Sequence, residues 1–268
     1  MLAGEWKMFD VDFSDEFIVK IESSSDGSQD KYYKEGYWYK VDKYGGEGAA
    51  EELVSILLKN TTLSSNEYVD YELGFVNKMV GCRSKSFLES YEQFISFAHI
   101  HKLMEGCSFG SKILGLSLSS KIKYCVDFFQ QNFNLNVSDY LSKVFYLDMI
   151  IRNEDRNFGN LGLIYDNNKD TYRVAPIFDN GYSLLVGNEP FKHNGELCNR
   201  LLSVSGKPFS GNLETQAKYF DIPFQIDYSS LYNDLKNVND SLQKEALLFQ
   251  LDKYQEILCQ KDCEIEYE

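Results

Sequence analysis

The run NEDRNFGN, residues 153–160, lies between a predicted apolar helix and a predicted strand and is the most informative stretch of this sequence. Asn, Asp and Gly are poor residues for a helix interior, so this composition predicts a loop. Such a loop brings one carboxylate, Asp155, and one amide, Asn160, to the same point at a helix-to-strand junction.

A second carboxylate, Asp179, follows Asn160 by nineteen residues and ends the apolar segment APIFD, residues 175–179. An Asp-x4-Asn pair followed by a hairpin and a strand-terminal Asp is the pattern that phosphoryl transfer requires. In this interpretation Asp155 accepts the proton of the attacking hydroxyl or orients it. Asn160 and Asp179 supply the oxygen ligands that Mg²⁺ prefers. Each piece alone is an ordinary turn, so the hypothesis depends on their joint order and spacing.

An upstream strand, YWYKV at residues 37–41, carries Lys40 among aromatic β-formers. Without the downstream motif, an exposed strand lysine would be the simpler interpretation. With it, Lys40 is the candidate contact for the α and β phosphates of ATP. The helix predicted over residues 47–59 places Glu47 and Glu51 on one face, and we predict that Glu51 pairs with Lys40, as in protein kinases. The alternative is an acidic first turn favoured by the helix dipole.

A turn of small polar residues, SSSDGS at residues 23–28, precedes the lysine strand and follows a predicted strand at residues 17–21. Its backbone N–H groups are the expected cover of the phosphates, which makes Ser24, Ser25, Gly27 and Ser28 candidate nucleotide contacts. The turn holds one glycine and is not the usual glycine-rich loop of protein kinases. No GxxxxGK[ST] run and no GxGxxG after a strand occurs, which argues against P-loop and dinucleotide-binding folds.

Hydrophobic periodicity divides the chain into a β-rich nucleotide-binding lobe, residues 1–90, and a mostly helical catalytic lobe, residues 91–268. The predicted fold class is therefore α+β and bilobal. In the first lobe further strands are predicted over 67–80 and 82–87. In the second, helices are predicted over 91–105, 122–133 and 137–151 and after about residue 229, with a hairpin of strands 161–165 and 172–177.

Charge and cysteine content limit the partners and the compartment. A formal net charge of −14 repels nucleic-acid phosphates and anionic lipid. The sequence contains no run of eighteen apolar residues, so membrane insertion is not expected. The six cysteines, at positions 82, 107, 125, 198, 259 and 263, form no CxxC pair and are interpreted as free thiols in a reducing compartment. The expected location is cytoplasmic, unless a specialised secretion system exports the protein. His99 and His101 are two apart on a helix and predict no zinc site.

These motifs resemble the HipA-like bacterial serine/threonine kinases, which include toxin kinases, and within them the short CtkA-like branch. The family pattern N-x-D-R-H-x-x-N is similar to residues 153–160, and A-P-[LI]-[YF]-D is similar to residues 175–179. The run EGAAE at residues 47–51 resembles the helix that carries the lysine-pairing Glu. GCRSKSFL, residues 81–88, resembles the strand that enters the ATP hinge. The resemblance spans about residues 17 to 210.

The resemblance implies a bilobal kinase fold, similar also to phosphatidylinositol kinases, with ATP and Mg²⁺ as cofactors. It assigns the base to Asp155, the magnesium ligands to Asn160 and Asp179, the phosphate lysine to Lys40, and a hinge position to Phe87. The turn near residues 23–29 would be the phosphate-covering loop, where relatives autophosphorylate a serine; here the candidates are Ser24, Ser25 and Ser28. The family histidine is replaced by Asn157. The N-terminal subdomain of HipA itself is not expected, so its antitoxin contacts do not carry over.

Three functions stay open from the sequence. The first is an active serine/threonine protein kinase, which acts on protein hydroxyls and has an antitoxin or a host protein as a candidate partner. The second is a lipid or small-molecule kinase of the same fold, against which the acidic composition argues mildly. The third is an ATP-binding pseudokinase that serves as an interaction module. Retention of Lys40, Asp155, Asn160 and Asp179 favours an enzyme.

Overall fold

The computed structural model describes residues 8–13, 31–187 and 197–259, and it begins with a five-stranded sheet in the order β1-β4-β5-β3-β2. β1 pairs parallel with β4, and the other neighbours are antiparallel. The strands are β1 (Phe9–Val11), β2 (Lys31–Lys34), β3 (Tyr37–Val41), β4 (Tyr71–Val76) and β5 (Met79–Lys85).

Helix α1 (Glu47–Lys59) connects β3 to β4 and has the bounds that the sequence predicts. Gly46 adopts a left-handed φ of 96° just before the helix, a conformation that glycine allows without steric cost. The carboxylate of Asp42 accepts the backbone N–H groups of Gly46 and Gly48, each at 2.8 Å. These contacts fix the angle at which α1 leaves the lysine strand β3.

The remaining described residues form a helical region that contains a second, three-stranded sheet in the order β6-β7-β8. Its strands are β6 (Glu92–Ser96), β7 (Gly162–Asp166) and β8 (Thr171–Val174). The helices are α2 (Phe97–Glu105), α3 (Phe109–Lys112), α4 (Leu118–Phe133), α5 (Ser138–Ile151), α6 (Leu197–Ser203), α7 (Leu213–Ala217), α8 (Tyr228–Leu235) and α9 (Leu242–Cys259).

Helix α5 is the centre of the helical core. Nearly every residue from Tyr140 to Ile151 is buried, so this stretch of the helix packs into the core on all sides rather than through one face. Around it, aromatic side chains pack in direct ring contact, with the Phe97 and Phe129 centroids 4.0 Å apart. A rigid, buried α5 holds the loop of residues 153–160, which directly follows it, in a fixed place.

Two predicted elements are wrong in part. The strand predicted over residues 67–80 is interrupted, because Asn77 and Lys78 both have positive φ and form a two-residue hairpin turn between Val76 and Met79. The helix predicted over residues 91–105 begins only at Phe97, because residues 92–96 pair with β7 as strand β6. The bounds of two strands also differ from the prediction. β5 begins at Met79 and not at residue 82, and β8 ends at Val174 and not at residue 177.

The architecture is thus α+β, with a β-rich N-terminal lobe and a mostly helical C-terminal lobe, as the sequence predicts. The exact division at residues 90 and 91 stays a proposal, and β6 already belongs to the second sheet. The predicted strand at residues 17–21 and turn at residues 23–28 lie outside the described residues. Within the described ranges, no helix is both long and apolar enough to cross a membrane. Cys82, Cys107, Cys125 and Cys198 are free thiols.

Candidate active site

Lys40 on β3 is the centre of a partly buried ion-pair cluster. Its Nζ lies 3.0 Å from Glu51 Oε1 on α1 and 2.7 Å from Asp179 Oδ1 on the segment that follows β8. The Glu51 side chain is 1% exposed, so the structure places Glu51, and not Glu47, against the lysine. Glu47 instead accepts the backbone N–H groups of Lys43 and Tyr44, at the start of its own helix.

The charges of this cluster are strongly coupled. Burial lowers the pKa of Lys40, but the carboxylates of Asp179 and Glu51 raise it by more, and the net pKa is well above its usual range. Burial raises the pKa of Asp179, yet Lys40 and Lys31 outweigh it and hold the pKa well below its usual range. Lys40 is therefore an ammonium and Asp179 a carboxylate at neutral pH, as phosphate and metal binding require.

Glu51 also holds the segment that carries Asp179. Its second oxygen, Oε2, accepts the backbone N–H of Asn180 at 3.0 Å. Asp179 itself has a φ of 60°, in the left-handed region that few residue types other than glycine and Asn or Asp tolerate. The ring of Tyr71 lies below Lys40, with its centroid 5.0 Å from Nζ, where a cation–π contact adds to the ion pairs.

The loop of residues 153–160 is organised by its own amide side chains. The Asp155 backbone N–H donates to Asn153 Oδ1 at 2.9 Å, and the Gly159 N–H donates to Asn157 Oδ1 at 2.7 Å. Asn160 Nδ2 donates to the Asp155 carbonyl at 3.0 Å. Asn157 thus has a local structural task within the loop.

The Oδ1 atom of Asn160 is buried and has no hydrogen-bond partner within the part of the chain that the structure describes. A buried acceptor without a partner is costly, unless a ligand or water completes it. Amide and carboxylate oxygens, the kinds that Asn160 and Asp179 carry, are the hard donors that suit Mg²⁺. The residues present therefore fit a magnesium ion, which these two side chains would hold.

Arg156 joins the two candidate metal-binding segments, and sequence reasoning missed it. The guanidinium is fully buried, contacts both carboxylate oxygens of Asp148 at 3.1–3.2 Å, and donates to the Phe178 carbonyl at 2.6 Å. It also donates to Asn180 Oδ1. The available signal was Asp148, a lone charge in the otherwise apolar end of helix α5, because a fully buried carboxylate needs a partner.

Lys31 is a second cation beside the Lys40 cluster that sequence reasoning did not single out. It lies directly opposite Lys40 in the β2–β3 register, so the two side chains share a face of the sheet. Burial and the charge of Lys40 lower its pKa, whereas Asp179 and Glu51 raise it. A lysine in this position lies within electrostatic range of the same anionic ligand as Lys40.

Of the other predicted nucleotide contacts, only Phe87 lies within the residues that the structure describes. Phe87 follows β5 and packs against Phe178 and Phe94, with ring centroids 5.6 and 6.1 Å away. It therefore lies beside the Asp179 segment at the exit of the first sheet. Ser24, Ser25, Gly27 and Ser28 lie outside the described residues, and their role at the phosphates stays a prediction.

Comparisons with known proteins match this architecture through structure alone. No family model matches the chain, and no curated protein matches it. Among solved structures, the Helicobacter pylori proinflammatory kinase CtkA aligns with a TM-score of 0.64 and 18% identity, over 93% of this chain and 95% of that chain. The predicted bilobal kinase-like fold, and the resemblance to CtkA in fold, are confirmed.

Proposed function

We propose that this protein is an ATP-dependent phosphotransferase, and specifically a serine/threonine protein kinase. The observation that carries the proposal is the convergence of Lys40, Glu51 and Asp179, which come from three separate segments of the chain. A strand lysine paired with a helix glutamate, beside a metal-binding aspartate, is the arrangement that orients ATP for transfer. The kinase-like fold agrees with this function.

Each residue has a task in the proposed reaction. Lys40 and Lys31 bind the phosphates, and Glu51 orients Lys40. Bound Mg²⁺, held by Asn160 and Asp179, would neutralise charge on the phosphates. Asp155, whose side chain is 49% exposed, accepts the proton of the substrate hydroxyl. At the same time, the oxygen of that hydroxyl forms a bond to the γ-phosphorus. The bond from that phosphorus to the bridging oxygen breaks, and ADP leaves.

Nucleotide binding changes the contacts of the cluster. The phosphates compete with Asp179 for the Lys40 ammonium, which leaves the Asp179 carboxylate available to the metal ion. Glu51 is 1% exposed and keeps its hold on both Lys40 and the Asn180 backbone. The three side chains would thus change from an ion-pair cluster into a phosphate and metal site.

Protein hydroxyls are the acceptors that the charge distribution favours. The net charge of −14 repels anionic membrane lipid and attracts basic polypeptides. An antitoxin or a host protein is the candidate partner. Autophosphorylation at Ser24, Ser25 or Ser28 belongs to the same proposal, and phosphopeptide mass spectrometry after incubation with ATP would locate the modified serine.

The experiment that tests the function is transfer from labelled ATP, with Mg²⁺, to the chain itself and to a generic basic protein. We expect incorporation by the wild type and its loss in Asp155→Ala and Asp179→Ala, which should still fold. Asp127→Ala is the matched control, because Asp127 is an exposed carboxylate paired only with Lys123 in the described contacts. Omission of Mg²⁺ should abolish transfer.

Two results would contradict the protein-kinase assignment. ATP binding without any transfer, equal in the wild type and Asp155→Ala, would indicate a pseudokinase. Transfer to phosphoinositides but to no protein would indicate a lipid kinase. Asn160→Leu tests the metal ligand separately, because it should raise the Mg²⁺ concentration needed for ATP binding.

A further inference from the structure

A lysine from a distant part of the chain lies at the candidate base. Lys207 Nζ is 3.2 Å from Asp155 Oδ1, and the two side chains are 53% and 49% exposed. Lys207 belongs to the segment of residues 204–211, here called the Lys207 loop, which follows α6. Lys207 lies outside all the sequence motifs that predict the active site.

The backbone of the Lys207 loop is firmly anchored, although the Lys207 side chain reaches solvent. Gln216 is fully buried, and its Oε1 accepts the N–H groups of Phe209 and Ser210 at 3.0 and 3.1 Å. Its Nε2 donates to the Lys207 carbonyl at 2.9 Å. A side-chain amide that holds three backbone groups fixes the Lys207 Cα in one place.

The loop is also packed directly on the candidate catalytic loop. Phe209 is 2% exposed and lies 5.4 Å, between ring centroids, from Phe158 in residues 153–160. Lys121 on α4 donates to the Phe209 carbonyl at 3.0 Å. The position of Lys207 relative to Asp155 is therefore set by the core of the C-terminal lobe and not by the surface ion pair itself.

Two other cations of the described site, Arg156 and Lys40, already have partners. Arg156 is fully buried, and its donors are directed at Asp148, the Phe178 carbonyl and Asn180. Lys40 is held between two carboxylates across the cleft. Within the residues that the structure describes, Lys207 is the cation that contacts Asp155. Its exposed ammonium has N–H donors left for a ligand.

We propose that Lys207 is a catalytic residue that contacts the phosphoryl group during its transfer, an inference that rests on the proposed function. The substrate oxygen forms a bond to the γ-phosphorus, the bridging P–O bond breaks with its electron pair on ADP, and the proton goes to Asp155. Lys207 stays protonated throughout and transfers nothing. Its charge stabilises the oxygens of the phosphoryl group where that group meets the hydroxyl, as a cation supplied within the same chain does in other phosphotransferases.

The competing explanation is an ordinary surface ion pair. Exposed pairs of this kind contribute little to stability, so loss of Lys207 should leave the melting temperature unchanged under either explanation. The chain offers a control in Lys169, an exposed lysine in the β7–β8 hairpin that pairs at the same 3.2 Å distance with Asp166, whose side chain is only 9% exposed. A catalytic effect confined to Lys207 would separate the two explanations.

The test compares Lys207→Gln, Lys207→Arg and Lys169→Gln with the wild type. We expect Lys207→Gln to lower kcat about 100-fold, with little change in the KM for ATP or the Kd for ADP. Lys207→Arg should restore part of kcat because it restores the charge. A readout besides activity is the Kd for ADP with aluminium fluoride, a mimic of the transferring phosphoryl group, which should weaken in Lys207→Gln but not in Lys169→Gln.

The outcomes separate the two levels of the proposal. If the wild type transfers phosphate and Lys207→Gln matches Lys169→Gln in kcat and in the Kd for ADP with aluminium fluoride, the role of Lys207 is refuted and the phosphotransferase stands. If the wild type binds ATP but transfers to no acceptor, the proposed function fails, and the role of Lys207 fails with it.

Discussion

Replacement of Arg156 by Met, a side chain of similar length without charge, should destabilise the whole fold and not only the site. The wild-type guanidinium neutralises Asp148, which is fully buried in helix α5. Burial raises the pKa of Asp148, and the charge and hydrogen bonds of Arg156, with a hydrogen bond from Asn153, counteract part of this rise. Without Arg156, the Asp148 carboxyl must either stay charged in an apolar core or take up a proton, and both states cost free energy.

The magnitude follows from the class of interaction. Removal of one partner from a fully buried ion pair costs about 3–5 kcal/mol, because the other charge is left uncompensated. For a two-state chain of 268 residues, this corresponds to a fall in Tm of roughly 7 °C. The free carbonyl of Phe178 and the amide of Asn180, which lose their donor, add to the loss.

The assay is urea denaturation of Arg156→Met and of the double variant Arg156→Met/Asp148→Leu. The double variant removes both members of the buried pair and leaves no uncompensated charge at that place, so it should recover most of the lost stability. It should not recover phosphoryl transfer, since no group then ties the Asp155 loop to the Phe178 carbonyl. A loss below about 1 kcal/mol in the single variant, or full activity in the double variant, would refute this reasoning.

Three further predictions concern the sheet, an ion pair and the core. Gly81→Ala should cost about 1–3 kcal/mol and weaken ATP binding in a nucleotide titration, because the added Cβ would clash with the backbone carbonyl oxygen of Lys40. Burial raises the pKa of Glu214, but Tyr254 and Arg152 lower it to about 2, below its ordinary 4.5. This carboxylate therefore stabilises the fold above pH 4.5 and loses that contribution as the pH falls toward 2. In urea titrations at pH 7, Glu214→Gln should be about 1–2 kcal/mol less stable than the wild type. The difference should be smaller at pH 3. Phe129→Ala, at a fully buried ring, should cost about 3–5 kcal/mol in the same measurement.

Local sequence signals were sufficient for several elements. The apolar run after Glu47 and the two glycines before it predicted α1 with its observed bounds. The composition of residues 153–160 predicted the observed loop, because a few neighbouring residues decide such a structure, whereas the strand predicted to lead up to Asp179 ends earlier, at Val174. The prediction over residues 91–105 was wrong because the apolar residues of β6 also fit a helical period, and only the pairing with β7 distinguishes the two.

Local sequence patterns alone predict the order of most elements and the kinds of side chain that could carry the chemistry. Hydrophobic periodicity and turn residues act over short distances, so Lys40, Asp155 and Asp179 were recognisable without coordinates. Only the tertiary structure decided which charges meet: Arg156 with Asp148 and the Asp179 segment, Lys31 beside Lys40, and Lys207 at Asp155. Those contacts join residues from separate segments, and their geometry depends on how helix α5, the two sheets and the Lys207 loop pack. No local pattern encodes such packing, because it is the sum of many weak contacts across the core.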